Sequence, residues 1–148
     1  MIVDSPIKAP AFKNDASALM EAHGQIRRCF IRLEVEMARI TPNMISLAAA
    51  RVRLSRAQRS RAEALNAVLA RLAQAVGPAL RHAERMQSDV RSFQLVASSH
   101  IARWNTLTIP SDWKGYLSAS ATLRASTQKQ IASERQLLRS IDWIRLST

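Results

Sequence analysis

The segment DASALMEAHGQIRRCFIRLEVEMARI, which runs from Asp15 to Ile40, carries the pattern that decides the fold. Apolar residues and one histidine recur in it at alternating steps of four and three residues: Leu19, His23, Ile26, Phe30, Leu33, Met37 and Ile40. Residues with that spacing share one side of an α-helix. The segment therefore predicts an amphipathic helix with its apolar face turned to a core.

The rest of the chain repeats this helical pattern. Only three glycines and five prolines interrupt 148 residues, and no alternating strand pattern occurs. Residues 1–14 are expected to be irregular, and residues 15–148 to form one domain. We expect helices to start at Asp15, at a Ser55–Gln58 capping box and after a Ser111 cap, and we expect a kink at Gly77-Pro78. The predicted segments are 15–40, a short one at 41–54, 55–88 with its kink, 90–107 and 112–145. Four main helices with short connections predict an all-α, up-down-up-down four-helix bundle.

The composition narrows the function. Lys and Arg number 22 against 11 acidic residues, which gives a net charge of +11. This basic balance keeps nucleic-acid binding open as an alternative, although the arginines are spread along the chain and no aromatic platform accompanies them. A single cysteine, Cys29, argues against disulfides or a cysteine zinc site. No apolar run fits a bilayer, no signal-like start occurs and no enzyme motif is found. A cytoplasmic protein without enzymatic activity or membrane contact is therefore expected.

All three histidines of the chain fall on the predicted inward stripes, one each on helices one, two and three. They are His23, His82 and His100, and the fourth helix carries Glu134 on its stripe instead. In an up-down bundle these four positions lie roughly 9 to 17 Å from the same end, so their side chains could meet. Imidazoles and a carboxylate that converge in a bundle are ligands for iron, manganese or zinc. Core histidines and an arginine partner for Glu134 are the alternative interpretation.

Four short motifs resemble those of hemerythrin-like (HHE, cation-binding) domains. The stretch 19–28, LMEAHGQIRR, is similar to the family's first helix, and RHAERM at 81–86 to its "HHAKEE". SHIAR at 99–103 resembles the "EH" motif of helix three, and QIASER at 130–135 the "HIxxEE" of helix four. The order and spacing of these motifs cover residues from about 15 to 145.

This resemblance implies a metal centre in the bundle core. In the family, histidines from all four helices and carboxylates on helices two and four hold two irons. Met86 and Gln130 stand where the helix-two carboxylate and the helix-four histidine belong. The expectation is one metal, iron with zinc or manganese as alternatives, held by His23, His82, His100 and Glu134. Sensing of oxygen, nitric oxide or iron is the implied role, with a diatomic ligand, a second copy or another protein as partner. The alternative is a metal-free, degenerate bundle that serves as a protein-interaction or structural module.

Overall fold

The computed structural model describes residues 9–74 and 78–140, and within these ranges the chain is helical without any strand. The helices are α1 (Ala9–Met37), α2 (Met44–Leu72), α3 (Pro78–Arg103), the single turn α4 (Thr108–Ser111) and α5 (Trp113–Ser140). The all-α prediction is confirmed. None of the described helices has both the length and the apolar character needed to cross a membrane.

Helix α1 begins earlier than expected. It starts at Ala9, so residues 9–14 of the segment expected to be irregular are helical, and Phe12 is completely buried. The apolar periodicity explains the difference, because Phe12 and Ala16 continue the stripe of Leu19 backward by steps of four and three. Ile40, at the other end of the predicted stripe, lies beyond the helix and is 95 % exposed.

Helix α2 corrects the predicted start at Ser55. The helix begins at Met44, because the side chain of Asn43 accepts a hydrogen bond from the Ser46 backbone N–H at 3.2 Å and so caps it. No glycine or proline occurs from 44 to 72, and the chain therefore continues through Ser55 without interruption. The predicted 41–54 segment and the first part of the predicted 55–88 helix are one element.

The predicted continuous helix 55–88 is also wrong at its far end. Helix α2 ends at Leu72, and Pro78 is the first residue of α3. Proline has no backbone N–H and suits the first turn of a helix, whereas inside a helix it removes a hydrogen bond. Gly77, at which a kink was expected, lies outside the described residues, as do Ala75 of the second stripe and 141–145 of the last predicted helix.

The break before the last long helix has two polar caps. Asn105 and Thr108 bond reciprocally, with the Asn105 N–H donating to Thr108 Oγ1 at 2.8 Å and the Thr108 N–H donating to Asn105 Oδ1 at 3.0 Å. Asp112 caps α5 in place of the expected Ser111, since its Oδ1 accepts from the Gly115 N–H at 3.0 Å. A Cβ at Gly115 would collide with this carboxylate, so a larger residue there would displace the Asp112 side chain from its capping position.

The buried apolar residues form two clusters. One joins the beginning of α1 to the end of α2, the beginning of α3 and the end of α5. The other joins the end of α1 to the beginning of α2, Trp104, Ile109 and Tyr116. Along α1, His23 falls between Leu19 of the first cluster and Ile26 of the second. Along α2, Arg61 falls between Ala57 and Leu65 in the same way, so buried polar residues separate the two clusters.

The long helices do not pack equally. Helix α2 packs most extensively against α1, and α3 packs mainly against α5. Helices α2 and α3 touch each other much less. This unequal packing creates the open side of the molecule described below.

Candidate functional site

Two of the four predicted ligands meet in the core. His23 Nε2 lies 2.8 Å from Glu134 Oε1, and the two residues are 4 % and 0 % exposed. They come from α1 and α5, which are 111 positions apart in the chain. The inward-facing stripes therefore predict the burial of these two side chains correctly.

A buried arginine completes the cluster. Arg61 of α2, itself only 5 % exposed, donates from Nε to Glu134 Oε1 at 2.9 Å and from Nη2 to Oε2 at 2.6 Å. Its Nη1 donates to Gln58 Oε1 at 2.7 Å, and its guanidinium carbon lies 5.0 Å from the ring centre of Phe93. His23, Arg61 and Glu134 are called the Glu134 network below. This bidentate geometry is the strongest ion-pair arrangement that proteins use.

The network controls the charge of its carboxylate. Burial would raise the pKa of Glu134, but the hydrogen bonds from His23 and Arg61 and the charge of Arg61 outweigh it, so the pKa lies below its ordinary value. Glu134 is therefore ionised and already paired. The alternative interpretation, an arginine partner for a buried glutamate, describes this arrangement.

The other two predicted ligands lie apart from this network. His82 is half-buried, and its Nδ1 accepts a hydrogen bond from Arg85 Nη2 at 2.8 Å. His100 is half-buried beside Tyr116, with the ring centres 5.9 Å apart, and burial together with the charge of Arg51 lowers its pKa. In the part of the chain that the structure describes, no three His, Cys, Asp or Glu residues form a group able to hold a metal ion.

The positions that depart from the hemerythrin-like pattern contact each other. Gln130 Nε2 donates to Met86 Sδ at 3.4 Å, and both side chains are buried. An amide and a thioether are weak ligands for iron, and here each has the other as its partner. With a guanidinium on Glu134 as well, the donor set in this arrangement does not fit a metal ion. The metal site stays a prediction of the resemblance.

A large cleft opens between α2 and α3, and we call it the α2–α3 cleft. Its volume is about 1040 Å³, and side chains of α1 and α5 also line it. The predicted stripe of helix three forms its α3 side, namely Val90, Phe93, Ala97, His100 and Trp104. Of these only Trp104 is fully buried, and the other four are half-buried. A face with core composition is thus left partly uncovered along α3.

The charges along the α2–α3 cleft have one sign. Its lining includes five arginines and no aspartate or glutamate: Arg51, Arg56, Arg59, Arg61 and Arg124. Arg51 donates to the Trp104 carbonyl at 2.7 Å and lies 5.6 Å from the ring centre of Tyr116. Tyr116 also has the rings of Trp104 and Trp113 at 5.7 and 5.6 Å, so one end of the cleft is aromatic.

Two further features of the α2–α3 cleft are typical of binding surfaces. The hydroxyl of Ser120 is buried and has no hydrogen-bond partner among the described residues. Val52 and Ile101, both in the lining, are 49 % and 57 % exposed although they are large and apolar. Apolar side chains exposed together beside an apolar cleft are typical of interaction sites.

Sequence reasoning missed Arg61 as a named partner and missed the cleft. The signal for Arg61 is present, because it extends the stripe of Leu65, Val68 and Leu72 backward by one step of four. The cleft has no comparable signal, since its α3 side has the same periodicity as a closed core.

No protein-family description, curated protein or solved structure matches this chain.

Proposed function

We propose that the four long helices form an up-down-up-down bundle of the hemerythrin-like type, without the metal of that family. Contacts at both ends of α1 support the topology. Asp15 pairs with Arg71 at the end of α2, whereas Glu36 accepts from the Ser46 hydroxyl at the start of α2. Trp113, which begins α5, donates from Nε1 to the carbonyl of Arg39, just after α1, at 3.1 Å. These pairings are those of antiparallel neighbours.

Within this bundle the proposed function is that of a protein-interaction module, which binds an acidic, amphipathic α-helix of a partner protein in the α2–α3 cleft. The observation that carries the proposal is an apolar cleft with five arginines and no carboxylate in its lining. Its apolar side chains would cover the hydrophobic face of a helix. Arg56 and Arg59, which form no ion pair with a described residue, would pair with carboxylates along the edges of that helix.

The dimensions of the α2–α3 cleft favour a helix over a small molecule. The lining spans residues 48–65 of α2 and 90–101 of α3, and it continues over residues 104–106 after α3. At a rise of 1.5 Å per residue the α2 stretch is about 25 Å long, which corresponds to between four and five helical turns. The cleft runs between α2 and α3 and is open on one side. An added helix would therefore complete the coverage of α3.

A selection experiment tests this proposal. A display library of 18-residue helices with varied apolar and charged positions is selected against the intact chain. The enriched peptides are then tested for binding to the Ala97→Trp variant, because Ala97 lines the cleft and an indole there would fill it. Ala102→Trp is the matched control, since Ala102 is exposed on the same helix and lies outside the lining.

The expected result is enrichment of acidic, amphipathic helices that bind the native chain and Ala102→Trp but not Ala97→Trp. Enrichment of basic or non-amphipathic sequences would overturn the proposal. Equal binding to both tryptophan variants would do so as well, because the peptides would then occupy another surface. Circular dichroism of each variant confirms that the helices are intact before the comparison is made.

A further inference from the structure

A second, smaller groove lies on another side of the molecule, between α1 and α5. Its volume is about 390 Å³. The polar residues that line it are His23, Arg27, Arg124, Gln128, Arg135 and Arg139, and no aspartate or glutamate is among the lining residues. We call it the α1–α5 groove. Four arginines from two helices thus line one small volume.

The buried histidine of the Glu134 network lines this groove and has an unsatisfied atom. His23 Nε2 is taken by Glu134, but Nδ1 is buried and has no hydrogen-bond partner in the described part of the chain. A buried polar atom without a partner is uncommon and costs free energy, so it points to a partner that the protein itself does not provide.

The arginines of the α1–α5 groove differ in how far they are already engaged. Arg124 pairs with Glu34 and lies over the ring of Phe30 at 5.2 Å, which fixes its position. Arg139 donates to Gln136 Oε1 at 3.1 Å. Arg27 and Arg135 form no ion pair with any described residue. Two charges on opposite helices therefore remain available to an anion, while Arg61 compensates the nearby charge of Glu134.

From these observations we infer that the α1–α5 groove binds a small phosphate-class oxyanion, either inorganic phosphate or the phosphate group of a small metabolite. Arg27 and Arg135 supply the charged hydrogen bonds, because the planar guanidinium fits tetrahedral oxyanions with two parallel N–H donors. Because Nε2 donates to the ionised Glu134, Nδ1 of His23 completes the site as an acceptor, from a protonated oxygen of the ion or from a bridging water. This site is independent of helix binding in the α2–α3 cleft.

Calorimetric titration with inorganic phosphate, pyrophosphate and glycerol phosphate tests the inference, in a zwitterionic buffer at fixed chloride. The Arg27→Ala/Arg135→Ala variant should bind at least about tenfold more weakly, since each lost charged hydrogen bond is worth a tenfold change or more. Arg81→Ala/Arg91→Ala removes the same charge from exposed positions outside the groove and should bind like the native chain. Arg124 is left unchanged because it lines both the groove and the α2–α3 cleft.

Histidine nitrogen resonances provide the second readout. Binding should shift the Nδ1 resonance of His23 and leave the Nε2 contact to Glu134 in place. The three anions separate a free phosphate site from one that takes a phosphate ester. Equal weakening in both double variants would overturn the inference, because it would indicate diffuse attraction to the basic surface. Absence of binding by the native chain, or an unchanged His23 Nδ1 resonance at saturation, would contradict it too.

Discussion

Two arginines of α2 show how differently the cations of this helix are paired. Arg61 is only 5 % exposed where it lines the α2–α3 cleft, and Glu134 neutralises it through bidentate hydrogen bonds. Arg59, two positions earlier, is exposed along the same cleft and forms no ion pair with a described residue. The buried cation has its counter-charge within the chain. The charge of Arg59 remains available to an acidic partner.

The apolar residues show the same contrast. On α1, Leu19 and Ile26 are fully buried, and the neighbouring helices cover the stripe from Phe12 to Leu33. On α3, Phe93 and Ala97 have an equally regular spacing but are only half-buried. The two faces would be indistinguishable in an isolated helix. Helix α1 packs extensively against α2, whereas α3 packs against α2 much less, so one face is core and the other is left partly uncovered.

Disruption of the buried Arg61–Glu134 ion pair should have the largest effect, which is a loss of stability. Arg61→Leu leaves the buried carboxylate of Glu134 without its ion-pair partner, and we expect the free energy of unfolding to fall by about 3 to 5 kcal/mol. Urea denaturation followed by circular dichroism measures this loss. The double variant Arg61→Leu/Glu134→Leu should recover most of it, because no uncompensated charge remains. A single variant that loses less than about 1 kcal/mol would show that the ion pair is not the buried unit described here.

Substitutions along the α2–α3 cleft should weaken peptide binding and leave the stability of the fold unchanged. Ile101→Asp places a carboxylate on the rim of the α2–α3 cleft, where it repels an acidic helix and removes an apolar contact. The affinity for a selected peptide should fall by about 2 kcal/mol, or roughly thirtyfold. Leu95→Asp is the control, since Leu95 is 72 % exposed on the same helix and is not part of the lining. Equal losses in the two variants would mean that the peptide does not sit in the cleft.

A fall in pH should reduce the stability that His100 contributes at the aromatic end of the cleft. Burial and the charge of Arg51 lower the folded-state pKa of His100, so the unfolded chain takes up its proton first. The stability that His100 contributes is complete above about pH 6.5 and is lost as the pH falls through the folded-state value. His100→Gln should therefore reduce the decline in melting temperature between pH 7 and pH 5. An identical decline in the variant would assign this pH dependence to other groups.

Metal removal should give the smallest effect. The guanidinium on Glu134 and the contact between Gln130 and Met86 leave no donor set in the described core that fits a cation. Elemental analysis of protein purified without chelator should find well below one metal per chain, and EDTA should not change the melting temperature. One iron or zinc per chain that is lost in His23→Ala/His100→Ala would restore the metal centre that the resemblance implies.

The stripes could be predicted from the sequence, and the partners of their polar members could not. Leu19, Ile26 and Leu33 repeat at seven-residue intervals, and their burial follows from that periodicity. Glu134 was also correctly placed inward. Which of the 18 arginines pairs with Glu134 depends on how α2 is aligned with α5, and no local sequence pattern encodes that alignment. Helix boundaries failed for a related reason, because Ser55 has the spacing of a capping box, whereas the folded chain is capped at Asn43 and continues as helix through Ser55.

The most direct test of the account is a charge swap along the α2–α3 cleft. Arg56→Glu/Arg59→Glu reverses two exposed charges of the lining, and Arg53→Glu reverses one exposed charge of α2 outside it. Dissociation constants are measured for a selected acidic peptide and for the same peptide with its carboxylates replaced by lysines. We expect the double variant to bind the lysine peptide more tightly, whereas the native chain and Arg53→Glu should bind the acidic peptide more tightly. An unchanged preference in the double variant would contradict the account.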